Sequence, residues 1–264
     1  MTFMNRSSDL VIVIWSFRKG DGVLSVTLDR WITYAKSIGL TLYVATDSID
    51  LKYRDIIIFS KSNWKKEWSD VLDVLKQKGV TNFISILDDF YWLNGPDKCQ
   101  VEHLNDLMQD HEIAYLALEP HPAKSNLLDN IISKSSTGFK ELGLEDMYPS
   151  SLRPSIWSLL LFEKTLSAVS NIWEFETVYI NTYKYVTIVD CDFKMSVVHL
   201  LEKGKVNYNL AYLDSNGREK LMKSYQYDYN QLSKIPRIIL SNLCLKLIGF
   251  RIHNVFSKCR NTRI

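Results

Sequence analysis

The run Leu10-Val11-Ile12-Val13-Ile14-Trp15 contains no polar residue and lies between Asp9 and Ser16. Four of its six residues are β-branched. It is too short for a signal-peptide core or a membrane span. A run of this length and type reads as a strand buried on both faces, at 10–17 with Ser16 and Phe17. Such a strand needs helices on both sides of a largely parallel sheet, so the chain is directed toward an α/β fold.

The following segments agree. Val23, Val26, Leu28, Trp31, Ile32, Ala35 and Ile38 recur at helical spacing over 23–38, with Gly39 as the stop. Strands are expected at 40–46 and 56–59. Asn63 is placed to cap a helix over 64–78 that ends at Gly79. A strand at 81–87 then runs directly into Asp88-Asp89. The order β-α-β-β-α-β describes an open sheet, whose ligands bind beyond the carboxyl ends of its strands. Further on, a helix is expected over 97–110 and a strand at 113–118. Residues 119–155 read as loop, 155–162 as a strand, 163–182 as largely helical and 184–190 as a strand.

Composition narrows the class. With 46% hydrophobic residues, 7 Trp, 14 Tyr and 11 Phe in 264 residues, the chain has material for one sizeable core and is not a disordered sequence. Cys99, Cys191, Cys244 and Cys259 form no CxxC pair, which argues against a zinc ribbon or disulfide scaffold and fits a reducing cytoplasm. The net charge of +2 hides an asymmetry. After Asp228 there is no acid, yet Lys234, Arg237, Lys246, Arg251, Lys258, Arg260 and Arg263 all follow. The expected organisation is therefore one domain over 1–228 and a basic tail over 229–264. The tail reads either as a helix packed on the domain or as an amphipathic helix lying on an anionic membrane surface. Because the body is acidic, nucleic acid is not an expected partner.

Three motifs carry chemistry. The first is Asp88-Asp89. Adjacent carboxylates at a buried strand end repel each other unless a cation or a polyhydroxyl ligand offsets them; otherwise they cap the next helix or meet a lysine. The second is Thr46-Asp47, an acid at a strand end that either receives a ribose or base N–H or simply opens a turn. The third is Ser151-Leu152-Arg153-Pro154-Ser155-Ile156-Trp157 with Trp173-Glu174-Phe175-Glu176. Tryptophans near polar groups suit sugar stacking or core filling, and a glutamate suits general-base work. His199 is a late candidate metal ligand. No GxGxxG or GxxxxGK[ST] follows the first strand, and no GxSxG is present, so dehydrogenase, P-loop and serine-hydrolase chemistry are disfavoured.

In order, the strand VIVIWSF, Ala45-Thr46-Asp47, Trp64 and Trp68-Ser69, LDDF at 87–90, SLRPSIW at 151–157 and WEFE at 173–176 resemble the bacterial glycosyltransferases of O-antigen and capsule gene clusters, over roughly residues 10–200. The resemblance implies a GT-A-like (Rossmann-like) open mixed sheet flanked by helices, in one domain with a basic helical tail. It implies an inverting transfer from a nucleotide-sugar donor, usually UDP-linked, to a lipid-linked glycan on the cytoplasmic face of the inner membrane. Ser16, Phe17, Arg18, Asp47, Asp88, Asp89 and Arg153 would bind the donor. Trp157 and Trp173 would face the acceptor, and Glu176, Glu174 and Asp89 are the candidate catalytic carboxylates. An Asp-x-Asp motif would place an acid at position 90, where this chain has Phe90. A divalent cation (Mn²⁺ or Mg²⁺) held by Asp89, with His199 as a further ligand, is thus one means of neutralising the diphosphate. Arg153 is the other, or it simply pairs with a nearby acid. The alternative functions are a nucleotidyltransferase, which shares the layout but whose Gly-rich, Lys-containing loop is missing after strand one, and a noncatalytic nucleotide- or membrane-binding protein.

Overall fold

β1 (Leu10–Ser16) is buried along its whole length. Val11, Val13 and Trp15 pack into one apolar cluster, while Leu10, Ile12 and Ile14 pack into a second on the other face. This alternation makes β1 the centre of a three-layer α/β structure. The computed structural model describes residues 10–16, 21–47, 53, 55–59, 62–110, 112–119, 138–143, 146, 149–188, 193–202, 205–206 and 208–225. The expected basic tail at 229–264 lies outside them.

The main sheet has eight strands. Besides β1 they are β2 (Leu42–Thr46), β3 (Ile56–Ile58), β4 (Asn82–Leu87), β6 (Ile113–Ala117), β7 (Phe139–Leu142), β8 (Ser155–Ser158) and β9 (Lys184–Ile188), in the spatial order β3-β2-β1-β4-β8-β6-β9-β7. β2 and β4 pair with β1 in parallel, β3 pairs in parallel with β2, and β9 in parallel with β6. β8 runs antiparallel to both β4 and β6, and β7 is antiparallel to β9. The sheet is therefore mixed.

On one face lie α1 (Asp21–Ile38) and α3 (Lys98–Asp110), whose Leu24, Trp31, Tyr34, Val101, Leu104 and Met108 fill the cluster beneath them. On the other lie α2 (Trp64–Gln77), α4 (Leu159–Ala168) and the single turn α5 (Ile172–Phe175). That side holds a dense aromatic core. The rings of Trp15 and Phe162 stack at 5.5 Å between centroids, and Phe175 meets Trp68 at 5.1 Å and Trp157 at 5.5 Å. Asn63 caps α2 as expected, its side chain accepting from the Lys66 N–H. Gly39 and Gly79 take φ values of +73° and +75°, the left-handed conformation that ends a helix and that a Cβ disfavours.

Several expectations are corrected. The run 155–162 is not one strand. Ser158 ends β8, and its hydroxyl accepts from the Leu161 N–H to start α4. Helix does not extend over 163–182: α4 stops at Ala168, and α5 covers 172–175 alone. The loop-rich 119–155 contains β7. Immediately after Asp89 the chain forms β5 (Phe90–Asn94), which pairs antiparallel with β10 (Ser196–His199) in a separate ribbon. The short pair β11 (Leu201–Glu202) and β12 (Lys205–Val206), a 3-10 turn at Tyr208–Tyr212 and α6 (Ser215–Ser224) complete this side. No helix among the described residues is long and apolar enough to cross a membrane.

Candidate functional site

β2 and β3 lie to one side of β1 and β4 to the other. The chain thus reverses its direction of travel between β1 and β4, and the crevice at the carboxyl ends of such a pair is where open α/β sheets take their ligands. Ser16 ends β1 and Asp88 follows β4. The Asp88 N–H donates to the Trp15 carbonyl at 3.1 Å, and the Ser16 hydroxyl donates to Asp88 Oδ2 at 2.8 Å. From α1 the Thr27 hydroxyl donates to the Asp88 carbonyl at 2.8 Å. Asp88 is thereby fixed from three sides.

Burial pushes the Asp88 carboxyl up to about 7, against the opposing pull of the Ser16 hydroxyl; the neighbouring Asp89 charge adds to the rise. The Asp89 carboxyl is also raised, again by burial, with His199 acting in the opposite direction. Its Oδ1 is buried and has no hydrogen-bond partner among the described residues. Its Oδ2 lies 3.8 Å from His199 Nδ1. The β5–β10 ribbon makes this approach: His199 is in register with Phe90, their rings are 4.0 Å apart, and the Leu200 N–H donates to the Asp89 carbonyl. Asp89 and His199, 110 positions apart in sequence, are in this way brought to one place.

Asp47 follows Thr46, the register partner of Ser16, and so stands at the same edge. Phe17 and Arg18 lie outside the described residues. Arg153 precedes the antiparallel β8, whose first residue pairs with Ser85 of β4 and Ala117 of β6. This brings Arg153 to the same edge from the opposite chain direction. There its Nε sits 2.8 Å from Glu119 Oε2. Glu119 was not anticipated from sequence, although it ends a buried strand in an acid as Asp47 and Asp88 do.

The aromatic and glutamate motifs divide. Trp157 is fully buried, its indole N–H donating to the Ser155 hydroxyl and its ring covered by Tyr115, Phe162 and Phe175. It is a core residue and cannot stack on an acceptor. Trp173 is 81% exposed on α5. Glu174 completes the cap of its own helix, accepting from the Ser170 N–H and the Asn171 side-chain amide at 2.6 Å each. Glu176 Oε1 accepts from the Ser151 hydroxyl at 3.0 Å and from the Leu152 N–H at 2.9 Å.

Phe90 turns its ring into the core, 1% exposed, so no third acid joins Asp88 and Asp89. Among the described residues no group of three or more His, Cys, Asp or Glu converges as a metal-ligand set. A cation here would draw most of its ligands from substrate oxygens and water. A separate cavity of about 670 Å³ opens at the opposite, amino edge of the sheet, beside Thr81, Asn82, Ser158 and Lys184. It lacks the paired carboxylates, and the chemistry therefore concentrates at the carboxyl edge.

No family model matches the chain, and no curated protein does. Among solved structures it is similar to a cytidylyltransferase from Leptospira borgpetersenii serovar Hardjo-bovis, at 14% identity and a TM-score of 0.42, covering 88% of this chain and 96% of that one. It is also similar to a UDP-glucose pyrophosphorylase complexed with UDP-glucose, at 11% identity and a TM-score of 0.43, covering 85% and 98%. The apo form of a UDP-glucose pyrophosphorylase matches at 10% identity and 0.44, covering 72% and 93%. Likenesses this distant carry no functional conclusion.

Proposed function

We propose that the chain is a transferase of nucleotide-linked sugars, seating its donor at the carboxyl edge of β1, β2 and β4 and passing the sugar to an acceptor hydroxyl, as the O-antigen and capsule glycosyltransferases it resembles do. The observation that carries this reading is the Ser16–Asp88 hydrogen bond across the strand-order reversal, with Asp89 beside it. In this reading Asp47 meets the nucleoside and Arg153 the diphosphate. The acceptor, by the resemblance a lipid-linked glycan at an anionic membrane surface, would lie toward the exposed Trp173.

The base is assigned by elimination among the three carboxylates. Glu174 is engaged in its cap, and Glu176, through Oε1, with the Ser151 hydroxyl and the Leu152 N–H. Asp89 carries no such hydrogen bond among the described residues, its side chain keeps 18% exposure beside His199, and burial raises its pKa in the direction that suits a base near neutrality. In the proposed step Asp89 takes the acceptor O–H proton and the acceptor oxygen bonds to the anomeric carbon. The carbon–oxygen bond to the diphosphate breaks, and the nucleoside diphosphate leaves with the electron pair, its charge met by the Arg153 guanidinium.

Nucleotidyl transfer is the second reading, because a carboxylate pair at the carboxyl end of β4, held to α1 through Thr27, serves a nucleoside triphosphate as well. The two readings differ in product. UDP-, GDP- and CMP-sugars offered with a glycan acceptor release free nucleotide under the first. Nucleoside triphosphate with a sugar 1-phosphate releases pyrophosphate under the second. Pyrophosphate without sugar transfer would replace the first reading by the second; neither product, with the protein folded, would overturn both.

A further inference from the structure

Residues 150–153 are fastened by more bonds than a surface loop needs. The Ser150 hydroxyl donates to the Phe175 carbonyl at 3.1 Å, and the Ser151 N–H to the buried Tyr115 hydroxyl at 3.0 Å. Glu176 Oε1 then accepts both the Ser151 hydroxyl and the Leu152 N–H. The next residue is Arg153. Its N–H donates to the Ser151 hydroxyl oxygen at 3.2 Å, and its carbonyl accepts from the Ser155 hydroxyl at 2.8 Å. The backbone of Arg153 is thus held on both sides while its side chain stays 51% exposed at the sheet edge, steadied through Nε by Glu119.

Glu176 is the hub of this arrangement. It follows α5, whose Phe175 is buried in the aromatic core and whose Trp173 stands in solvent. A carboxylate oxygen that already accepts two hydrogen bonds is poorly available to a substrate proton. The same oxygen is well suited to fix a loop, because its negative charge strengthens both bonds.

We propose that Glu176 is a positioning residue. It clamps loop 150–152 so that Arg153 is presented to the donor diphosphate, and it ties that arginine to the turn carrying Trp173. The donor and acceptor sides of the cleft are then joined through one carboxylate. This rests on the donor-site reading above.

The amide of glutamine keeps a carbonyl oxygen able to accept both bonds, whereas a base cannot be replaced by glutamine. Donor affinity and turnover are therefore compared for wild type, Glu176→Gln, Glu176→Ala, Arg153→Ala and the double alanine variant, using the nucleoside diphosphate or its sugar conjugate that wild type binds. Glu176→Gln is expected within about threefold of wild type, and Glu176→Ala weakens donor binding about tenfold, the scale of one charge-assisted hydrogen bond. In the Arg153→Ala background the Glu176→Ala substitution adds less than about twofold, since the two act in series. Loss of turnover by about a hundredfold or more in Glu176→Gln, with affinity kept, would make Glu176 a base and overturn the proposal. An undiminished Glu176→Ala effect without Arg153 would also overturn it, by showing a general structural role. Amide exchange at Leu152 gives a readout independent of ligand: it accelerates in Glu176→Ala and not in Glu176→Gln, and unchanged exchange would refute the clamp. Should the alanine variant fail to fold, Ser151→Ala removes the hydroxyl that donates to Glu176 and accepts from the Arg153 N–H, leaving the Leu152 N–H bond to Glu176 in place; it is expected to weaken binding about threefold, and unaltered binding would count against the clamp. Wild type that binds no nucleotide would remove the donor-site reading itself, whereas wild-type binding unaffected by Glu176→Ala would remove this proposal alone.

Discussion

The Ser16 hydroxyl donates to Asp88 Oδ2 at 2.8 Å, joining the ends of two adjacent parallel strands that are 72 positions apart in sequence. The bond spans the place where strand order reverses around β1. It fixes a carboxylate that burial has raised to about 7, so near neutral pH the group is divided between its protonated and ionised forms.

That shift sets a pH dependence of stability. The ordinary value is 3.8, so between about 4 and 7 the folded chain holds a proton at Asp88 that the unfolded chain has released. The contribution of Asp88 is full below about 4 and is lost as pH rises through about 7. Asp88→Asn removes the titration. Its melting temperature relative to wild type is expected to be higher at pH 8 than at pH 5, measured by thermal unfolding in matched buffers. An offset that does not change with pH would contradict the assignment.

Thr27 is fully buried in α1 and donates to the Asp88 carbonyl. Thr27→Val keeps the shape but removes the donor. It is expected to cost about 1–3 kcal/mol, the cost of an unsatisfied buried carbonyl, read from denaturant unfolding. Donor affinity should fall with it, because the turn that presents the two carboxylates loses its support from α1.

The two tryptophans of the SLRPSIW and WEFE motifs should behave in opposite ways. Trp157→Ala opens a hole in the aromatic core and is expected to lower stability by about 3–5 kcal/mol. Trp173→Ala, at 81% exposure, should change stability by less than about 0.5 kcal/mol. If Trp173 is the acceptor platform, its variant raises KM for the acceptor and leaves KM for the donor unchanged.

Arg153→Ala leaves Glu119, a mostly buried carboxylate, without its ion-pair partner. The Glu119 carboxyl, already raised by burial, should rise further. Donor binding should weaken more than with Arg153→Lys, since lysine keeps the charge but not the planar fork. Calorimetry with the cognate nucleotide ranks the three proteins.

Much of this could be read from the sequence where one physical signal dominated. The all-apolar run at 10–15 specified a strand covered on both faces, and the acids at 47 and 88 marked the carboxyl edge of the sheet. The run SIWSLLLF was misread because an uninterrupted apolar stretch fits a buried strand and a buried helix equally well. The hydroxyl of Ser158, acting as a helix cap, decides where one becomes the other. The β5–β10 ribbon was missed because its two strands are about a hundred residues apart in sequence, and pairing at that distance leaves little local trace. The approach of His199 to Asp89 depends on that ribbon. Glu174 and Glu176 look alike in WEFE; one closes a helix cap and the other clamps a distant loop, a difference made entirely by tertiary contacts.

The central claim is that a nucleotide-linked sugar binds at the Ser16–Asp88 edge. Its most direct test is a thermal-shift panel of UDP, GDP, CMP and their sugar conjugates, with Mn²⁺, with Mg²⁺ and with EDTA, on wild type and on Asp88→Asn. A ligand at a hundred times its dissociation constant stabilises the fold by about 2.7 kcal/mol, well within detection. The account predicts a shift confined to one nucleotide family in wild type, persisting in EDTA because Arg153 meets the diphosphate, and reduced in Asp88→Asn. No shift with any nucleotide, or an equal shift in Asp88→Asn, would contradict it.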